Sequence, residues 1–280
     1  MSSDPAGFSI AAFDVDGTLA DASGVFDDDA LEVIADLLGH GILIVIATAR
    51  GPSGLAPIVA ALEAGLWAVT YQGGLIGQFE DGRWVTHHET TLDIDLAHQI
   101  ADMAAEAGLA TSWHAGLSWY TTALTNEILL ESRIVSQIPQ LVEDPERLSD
   151  PPHKLMLISP SHETWRLAEL AARLPQSVSH SYSHPNYLEI SPFEVDKGTG
   201  LEDVLVKVGG STSDLTAFGD SENDLPMFEI AAHSVAMAHA PDSVRRGATT
   251  VASDGLVAAL RQIRWRSFAP HPDPPHRSQS

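Results

Sequence analysis

The sequence predicts an α/β protein, a Rossmann-like doubly wound parallel sheet carrying an inserted α+β domain. Short apolar runs that end in polar residues are the first observation. Residues 10–13 lead into Asp14-Val15-Asp16-Gly17-Thr18-Leu19, residues 42–47 into Thr48-Ala49-Arg50, and residues 215–218 into Gly219-Asp220-Ser221-Glu222-Asn223-Asp224. Val195-Asp196-Lys197-Gly198, ahead of a helical pattern through Leu201, Val204 and Leu205, reads as a fourth end of this kind. The second observation is that helical patterns separate the runs, as parallel strands with crossover helices require. The third is chemical: carboxylates, a hydroxyl and a lysine are complementary, and an open parallel sheet binds ligands beyond the carboxyl ends of its strands.

Asp27-Asp28-Asp29 opens a helix with Leu31, Ile34, Leu37 and Leu38 on its apolar side, acids at its positive end and Gly39 and Gly41 at its close. A second helix runs through Ile58, Ala61 and Leu62 to a stop at Gly65, and a short strand over residues 66–70 follows. After Gly73-Gly74 the pattern changes. A helix over 93–107, strands near 109–113 and 118–124, a helix over 126–138, a strand over 154–159, a helix over 161–174 and strands near Val178 and Tyr187 make an α+β insert. The stripes Ile100, Met103, Ala104 and Trp165, Leu167, Leu170, Leu174 read as its core. The expected division is therefore 1–75 with 188–266 as the core, 76–187 as the insert, and 267–280, rich in proline, as a disordered tail.

Composition excludes several classes. Among 280 residues there is no cysteine, which removes disulfides, thiolate metal sites and thiol nucleophiles. Fifteen basic against thirty-eight acidic residues give a net charge of −23, which disfavours nucleic acid and anionic membranes. No stretch approaches the about 20 apolar residues of a membrane span, and a cytoplasmic location is the expectation. The same charge repels phosphate esters at long range, so an anionic substrate needs local positive charge from Lys197, Arg50 and a divalent cation. Asp14 to Val25 fails as a calcium loop, because Leu19 stands where glycine is needed and Val25 where glutamate is needed. Neither a P-loop nor a dinucleotide glycine fingerprint occurs.

Taken together, the four segments resemble the haloacid dehalogenase-like superfamily of aspartyl-phosphate phosphatases, and within it the Cof-like sugar-phosphatase type. Its motifs match, in order, residues 14–19, 48–50, Lys197 and 219–224. Tyr187-Leu188-Glu189-Ile190-Ser191-Pro192, Val235-Ala236-Met237-Ala238 and Asp254-Gly255-Leu256 extend the likeness. The chain departs from the pattern where Ala49 replaces glycine and where Ala238-His239-Ala240 replaces Gly-Asn-Ala. The resemblance implies Asp14 as nucleophile and Asp16 as general acid and base. It implies a magnesium site of Asp14, the Asp16 carbonyl and Asp220, with Asp224 and Asn223 as further candidates, one for the metal through water and the other for orienting Lys197. It also implies phosphate contacts from Thr48, Lys197, Asn223 and Arg50, the last alternatively an ion-pair partner at its strand end. A hard oxygen set without a nearby histidine suits magnesium rather than zinc, and the pairs His180/His184 and His87/His88 read as surface or insert positions. Trp113, His114, Trp119 and Tyr120, on strands of the insert, face either substrate or the insert's own core.

The expected function is hydrolysis of small phosphate monoesters, with the insert acting as a cap that selects the leaving group. Two alternatives use the same residues or fold: a phosphoryl transferase or mutase passing the aspartyl phosphate to another hydroxyl, and a non-catalytic phosphometabolite-binding protein. The sequence sets no oligomeric state.

Overall fold

A computed structural model describes residues 7–160, 162–193 and 195–270. In chain order its strands are β1 (Ile10–Phe13), β2 (Leu43–Ala47), β3 (Trp67–Thr70), β4 (Leu75–Glu80), β5 (Arg83–Glu89), β6 (Ala110–Ala115), β7 (Ser118–Thr121), β8 (Gln140–Leu141), β9 (Lys154–Ile158), β10 (Val178–His184), β11 (Tyr187–Pro192), β12 (Leu215–Gly219), β13 (His233–Met237) and β14 (Thr250–Ala252). The helices are α1 (Asp28–Gly39), α2 (Ala56–Leu62), α3 (Ile94–Glu106), α4 (Asn126–Ile134), α5 (Trp165–Ala171), α6 (Lys197–Val208), α7 (Leu225–Ile230), α8 (Asp242–Gly247) and α9 (Leu256–Gln262).

The chain divides into two compact units. The first holds 1–49, 57–87 and 196–280, the second 50–56 and 88–195. In the first, an eight-stranded sheet has the order β14-β13-β12-β1-β2-β3-β4-β5. It is parallel from β14 through β3, with β1 flanked by β12 (Phe13 opposite Phe218) and β2 (Phe13 opposite Ile46). Strand order reverses at β1, so the crevice beyond its carboxyl end is where such a sheet accepts a ligand. Because side chains alternate, Ile10, Ala12, Val45 and Ala47 bury one face against Leu201, Val204 and Leu205 of α6. Phe13 and Phe218 stack at 4.7 Å on the other. Each fully buried branched or aromatic side chain adds about 1.5–3 kcal/mol, which makes the central strands a rigid base for the loops above them.

The antiparallel β4 and β5 extend this sheet, whereas the sequence reading assigned 76–80 onward to the insert. They are joined by Asp81 and Gly82, both left-handed at φ 49° and 72°, a turn that matches strand twist. β11 in turn joins the second unit's sheet through β9 and β10. The expected boundaries at 75/76 and 187/188 therefore move to 87/88 and 195/196, because backbone pairing decides membership.

The second unit's six-stranded sheet has the order β10-β11-β9-β6-β7-β8. Leu155, Leu157, Leu188 and Ile190 pack against Ile100, Ala104, Leu167 and Leu170 of α3 and α5. Trp165, expected in that core, is 55% exposed, because it begins α5 and only Leu167 and Leu170 turn inward. Trp113 and Trp119 are buried in this unit's own apolar clusters, and Tyr120 packs partly against one of them.

Two residues of the expected tail are ordered into the first unit: Phe268 donates its backbone N–H to Gly41 O at 2.8 Å, and Ser267 Oγ donates to His40 O at 2.7 Å. Residues 271–280 of that tail lie outside the described residues. Among the described residues no helix is long and apolar enough to cross a membrane.

Candidate active site

Asp14 follows β1 directly, and its backbone N–H donates to Phe218 O at 2.9 Å, which ties the first carboxylate to the neighbouring strand. The chain then turns at Gly17, where φ is +89° and a Cβ would lie 2.2 Å from Asp220 Oδ2. Only glycine fits there, since any side chain would displace the second carboxylate.

Lys197 arrives from a different direction than the sequence suggested. It is not at a strand end but is the first residue of α6, behind an Asp196 N-cap that accepts from Thr199 N at 2.8 Å while Thr199 Oγ1 bonds back. Its side chain is fully buried, and Nζ donates to Asp14 Oδ1 at 2.5 Å and to Asp224 Oδ1 at 2.6 Å. Asp224 is locked from its other side: Oδ2 accepts from Asp220 N and Ser221 N, each at 2.9 Å. Gly219 allows this turn, because a Cβ there would lie 2.5 Å from the Asp224 carboxylate.

One ligand oxygen from each of Asp14, Asp220 and Asp224 lies within 4.8 Å of the others. Two oxygens of this cluster, Asp14 Oδ2 and Asp220 Oδ1, are buried without a hydrogen-bond partner. Three carboxylates against one ammonium leave the cluster short of positive charge. Burial drives Asp14 well above the usual carboxylate range, against the pull of Lys197 and with a further upward push from Asp224. Asp220 is raised as well, by burial and by Asp224, with His239 and Lys197 opposing. Burial alone would lower Lys197, but the two carboxylates beside it outweigh that and raise it. Carboxylates held apart from protons only at a cost, with orphaned oxygens facing one another's charge, fit a hard divalent cation.

The remaining expected residues divide. Thr48 is buried one residue past the end of β2, and its backbone N–H donates to Val69 O while its carbonyl accepts from Gln72 N. Asp16 is exposed in the turn, in a bridge with Ala20. Asn223 Oδ1 accepts from Ser221 Oγ at 2.7 Å, a local turn bond. Asp224 spends both oxygens on Lys197 and backbone amides, which leaves Asp14 and Asp220 with the open positions. Arg50 is buried in the segment grouped with the second unit, beside Gly54. One residue escaped the sequence reading: His239, beyond the end of β13, places Nε2 3.3 Å from Asp220 Oδ2, so the expectation of no histidine near the acidic set is corrected. The signal was present as a departure from the family pattern two residues past the run Val235-Ala236-Met237.

The profile of haloacid dehalogenase-like hydrolases matches residues 11–255. The chain belongs to that family. Among its relatives are the HMP-PP phosphatase of Serratia proteamaculans, 26% identical over 83% of this chain and 85% of that one. The 5-amino-6-(5-phospho-D-ribitylamino)uracil phosphatase of Bacillus subtilis is also 26% identical, over 86% of this chain and 91% of its own length. A haloacid dehalogenase-like hydrolase from Bacteroides thetaiotaomicron shares the fold with a TM-score of 0.83 at 23% identity, covering 91% of this chain and 98% of that one. This hydrolase thus has the enzymatic class of a phosphoric monoester hydrolase on the strength of its family and relatives.

Proposed function

We propose that this hydrolase cleaves small phosphate monoesters, sugar or related metabolite phosphates, through an aspartyl phosphate on Asp14 and with Mg2+ as cofactor. The observation that carries the reading is the state of Asp14: one oxygen fixed by Lys197 at 2.5 Å, the other buried without a partner. A carboxylate so held is oriented for attack and cannot relax into a hydrogen bond.

In the first step an Asp14 oxygen bonds to phosphorus as the bond from phosphorus to the ester oxygen breaks, and Asp16, at the exposed turn, gives its proton to the departing alkoxide. In the second, the Asp16 carboxylate takes a proton from water, the water oxygen bonds to phosphorus, and the bond from phosphorus to Asp14 breaks to release inorganic phosphate. The exposure of Asp16 supports this role, since it must meet both leaving group and water. Thr48, Lys197, Arg50 and Asn223 are the phosphate contacts of the proposal. Asp14, the Asp16 carbonyl and Asp220 would hold Mg2+, with Asp224 orienting Lys197 beside it rather than ligating directly; when bound, the ion supplies the positive charge that the three carboxylates and the phosphate need. The second unit serves as the cap that selects the leaving group, and the relatives' substrates, both phosphorylated small metabolites by name, support that class.

Asp14→Asn tests the reading. An amide is a poor nucleophile, so kcat on a panel of metabolite phosphates is expected to fall by about 10⁴-fold or more, the order seen when a covalent nucleophile is removed. Wild-type enzyme should release alcohol in a burst ahead of phosphate in rapid-quench experiments whenever the second step is the slower. Undiminished turnover by the variant, with circular dichroism unchanged, would overturn the assignment.

A further inference from the structure

His239 stands where the chain leaves its family pattern, and nothing in the proposed chemistry uses it. Its Nε2 lies 3.3 Å from Asp220 Oδ2, although its side chain is 62% exposed. An ionised carboxylate only accepts, so the contact requires the tautomer with the proton on Nε2. The turn that presents the ring is itself held: Arg245 Nη1 donates to Ala238 O at 3.1 Å and to Ala240 O at 2.8 Å, the carbonyls on either side of His239. Arg245 in turn pairs with Asp242 one turn earlier on α8. The Asp220 carboxylate also lies against Gly17, so close that a Cβ there would be 2.2 Å from Oδ2. Oδ2 thus has both a glycine and an imidazole beside it, and the other oxygen, Oδ1, is buried and unpartnered.

We propose that His239 is a positioning residue for the cation: by donating to Oδ2 it fixes the Asp220 carboxylate so that Oδ1 is left for the metal. Imidazole and carboxylate partners in the outer shell of a metal site orient the inner ligand and tune its basicity. The assignment rests on the proposed metal site, and it adds that this chain uses a histidine from the β13 end loop, braced by Arg245, as part of it.

Calorimetric titration of Mn2+ or Mg2+ into the metal-stripped full chain reads this directly. His239→Ala is expected to bind about tenfold more weakly, the lower end of the roughly 10–100-fold typical of outer-shell partners, as suits an exposed ring. His239→Gln, whose amide N–H reaches about as far as Nε2, is expected to restore the wild-type constant. In assays, His239→Ala should need more metal than the wild type for half-maximal rate. Unchanged binding in His239→Ala, or a glutamine variant no better than alanine, would overturn the proposal even where the wild type binds the cation well. A wild-type chain that binds neither ion would overturn the metal site itself.

Discussion

Lys197 decides the electrostatics of the site at the level of single residues. A fully buried ammonium between two carboxylates, at 2.5 and 2.6 Å, offsets the repulsion between Asp14 and Asp224. Removing one member of such a set leaves charge buried and uncompensated, which costs about 3–5 kcal/mol. Lys197→Met in EDTA should therefore lose about that much unfolding free energy in urea, and Mg2+ should return part of it. An unchanged midpoint would show that the ammonium is not what balances the pair. A second residue-level expectation concerns His114 and His153 in the second unit. Burial lowers both, Lys154 adding to the effect at His114 and Glu89 opposing it at His153. An unfolded histidine titrates near about 6.5. Below that pH the unfolded chain takes up protons that the folded one refuses, so stability falls as pH drops through about 6.5 and keeps falling toward the lower folded values. His114→Asn should flatten the dependence of the urea midpoint between pH 7.5 and 5.5; an identical slope would place the effect elsewhere. That Asp14, Lys197 and Asp220 lie together was legible in the sequence because each sits in a short motif at a strand end or helix start. His239 was not, because its contact spans two loops that only the sheet order brings together.

Elements matter through where they begin. α6 supplies Lys197 from its first turn, so the Asp196 capping box that fixes the start of the helix also fixes the ammonium. Asp196→Ala should cost about 1 kcal/mol, the usual worth of an N-cap, and lower kcat as well, with Asp196→Asn restoring most of both. A stability loss without any change in kcat would separate the cap from the placement of Lys197. The central strands and α1 were legible from apolar runs and from the Asp27 cap, which accepts from Ala30 N at 3.1 Å. The β4/β5 hairpin was not. Gly77 interrupts β4 and reads as a breaker, yet it is there because Trp84 and Val85 pack so closely that a Cβ would lie 2.4 Å from either. That requirement belongs to the partner strand and is invisible along the chain. The same local view moved the insert's boundaries, since β4 pairs with β3 and β11 with β9.

At the scale of the molecule, composition and motif order made the two-unit plan legible, but not what closes the first unit. After α9 the chain crosses the amino ends of the central strands. Phe8 N donates to Arg264 O at 2.9 Å and Arg266 N to Phe8 O at 2.8 Å, Arg266 pairs with Asp214 ahead of β12, and Phe268 reaches Gly41 ahead of β2. Phe268 also packs against the main core cluster. This strap lies beyond residue 255, where the match to the family ends, and joins the feet of three neighbouring strands far from one another in sequence. Its hydrogen bonds contribute about 1 kcal/mol each and the partly buried phenylalanine a similar amount, so truncation after Ile263 should remove about 3–5 kcal/mol. For a chain of this size that corresponds to a fall in Tm of roughly 6–20 °C. The loss should come without a change in kcat at 25 °C, because the strap sits at the opposite end of the strands from Asp14. Truncation after Pro270, which keeps every one of these contacts, is the matched control and should leave Tm where it was. Equal melting of the two truncated chains would show that the strap adds nothing to the core it crosses.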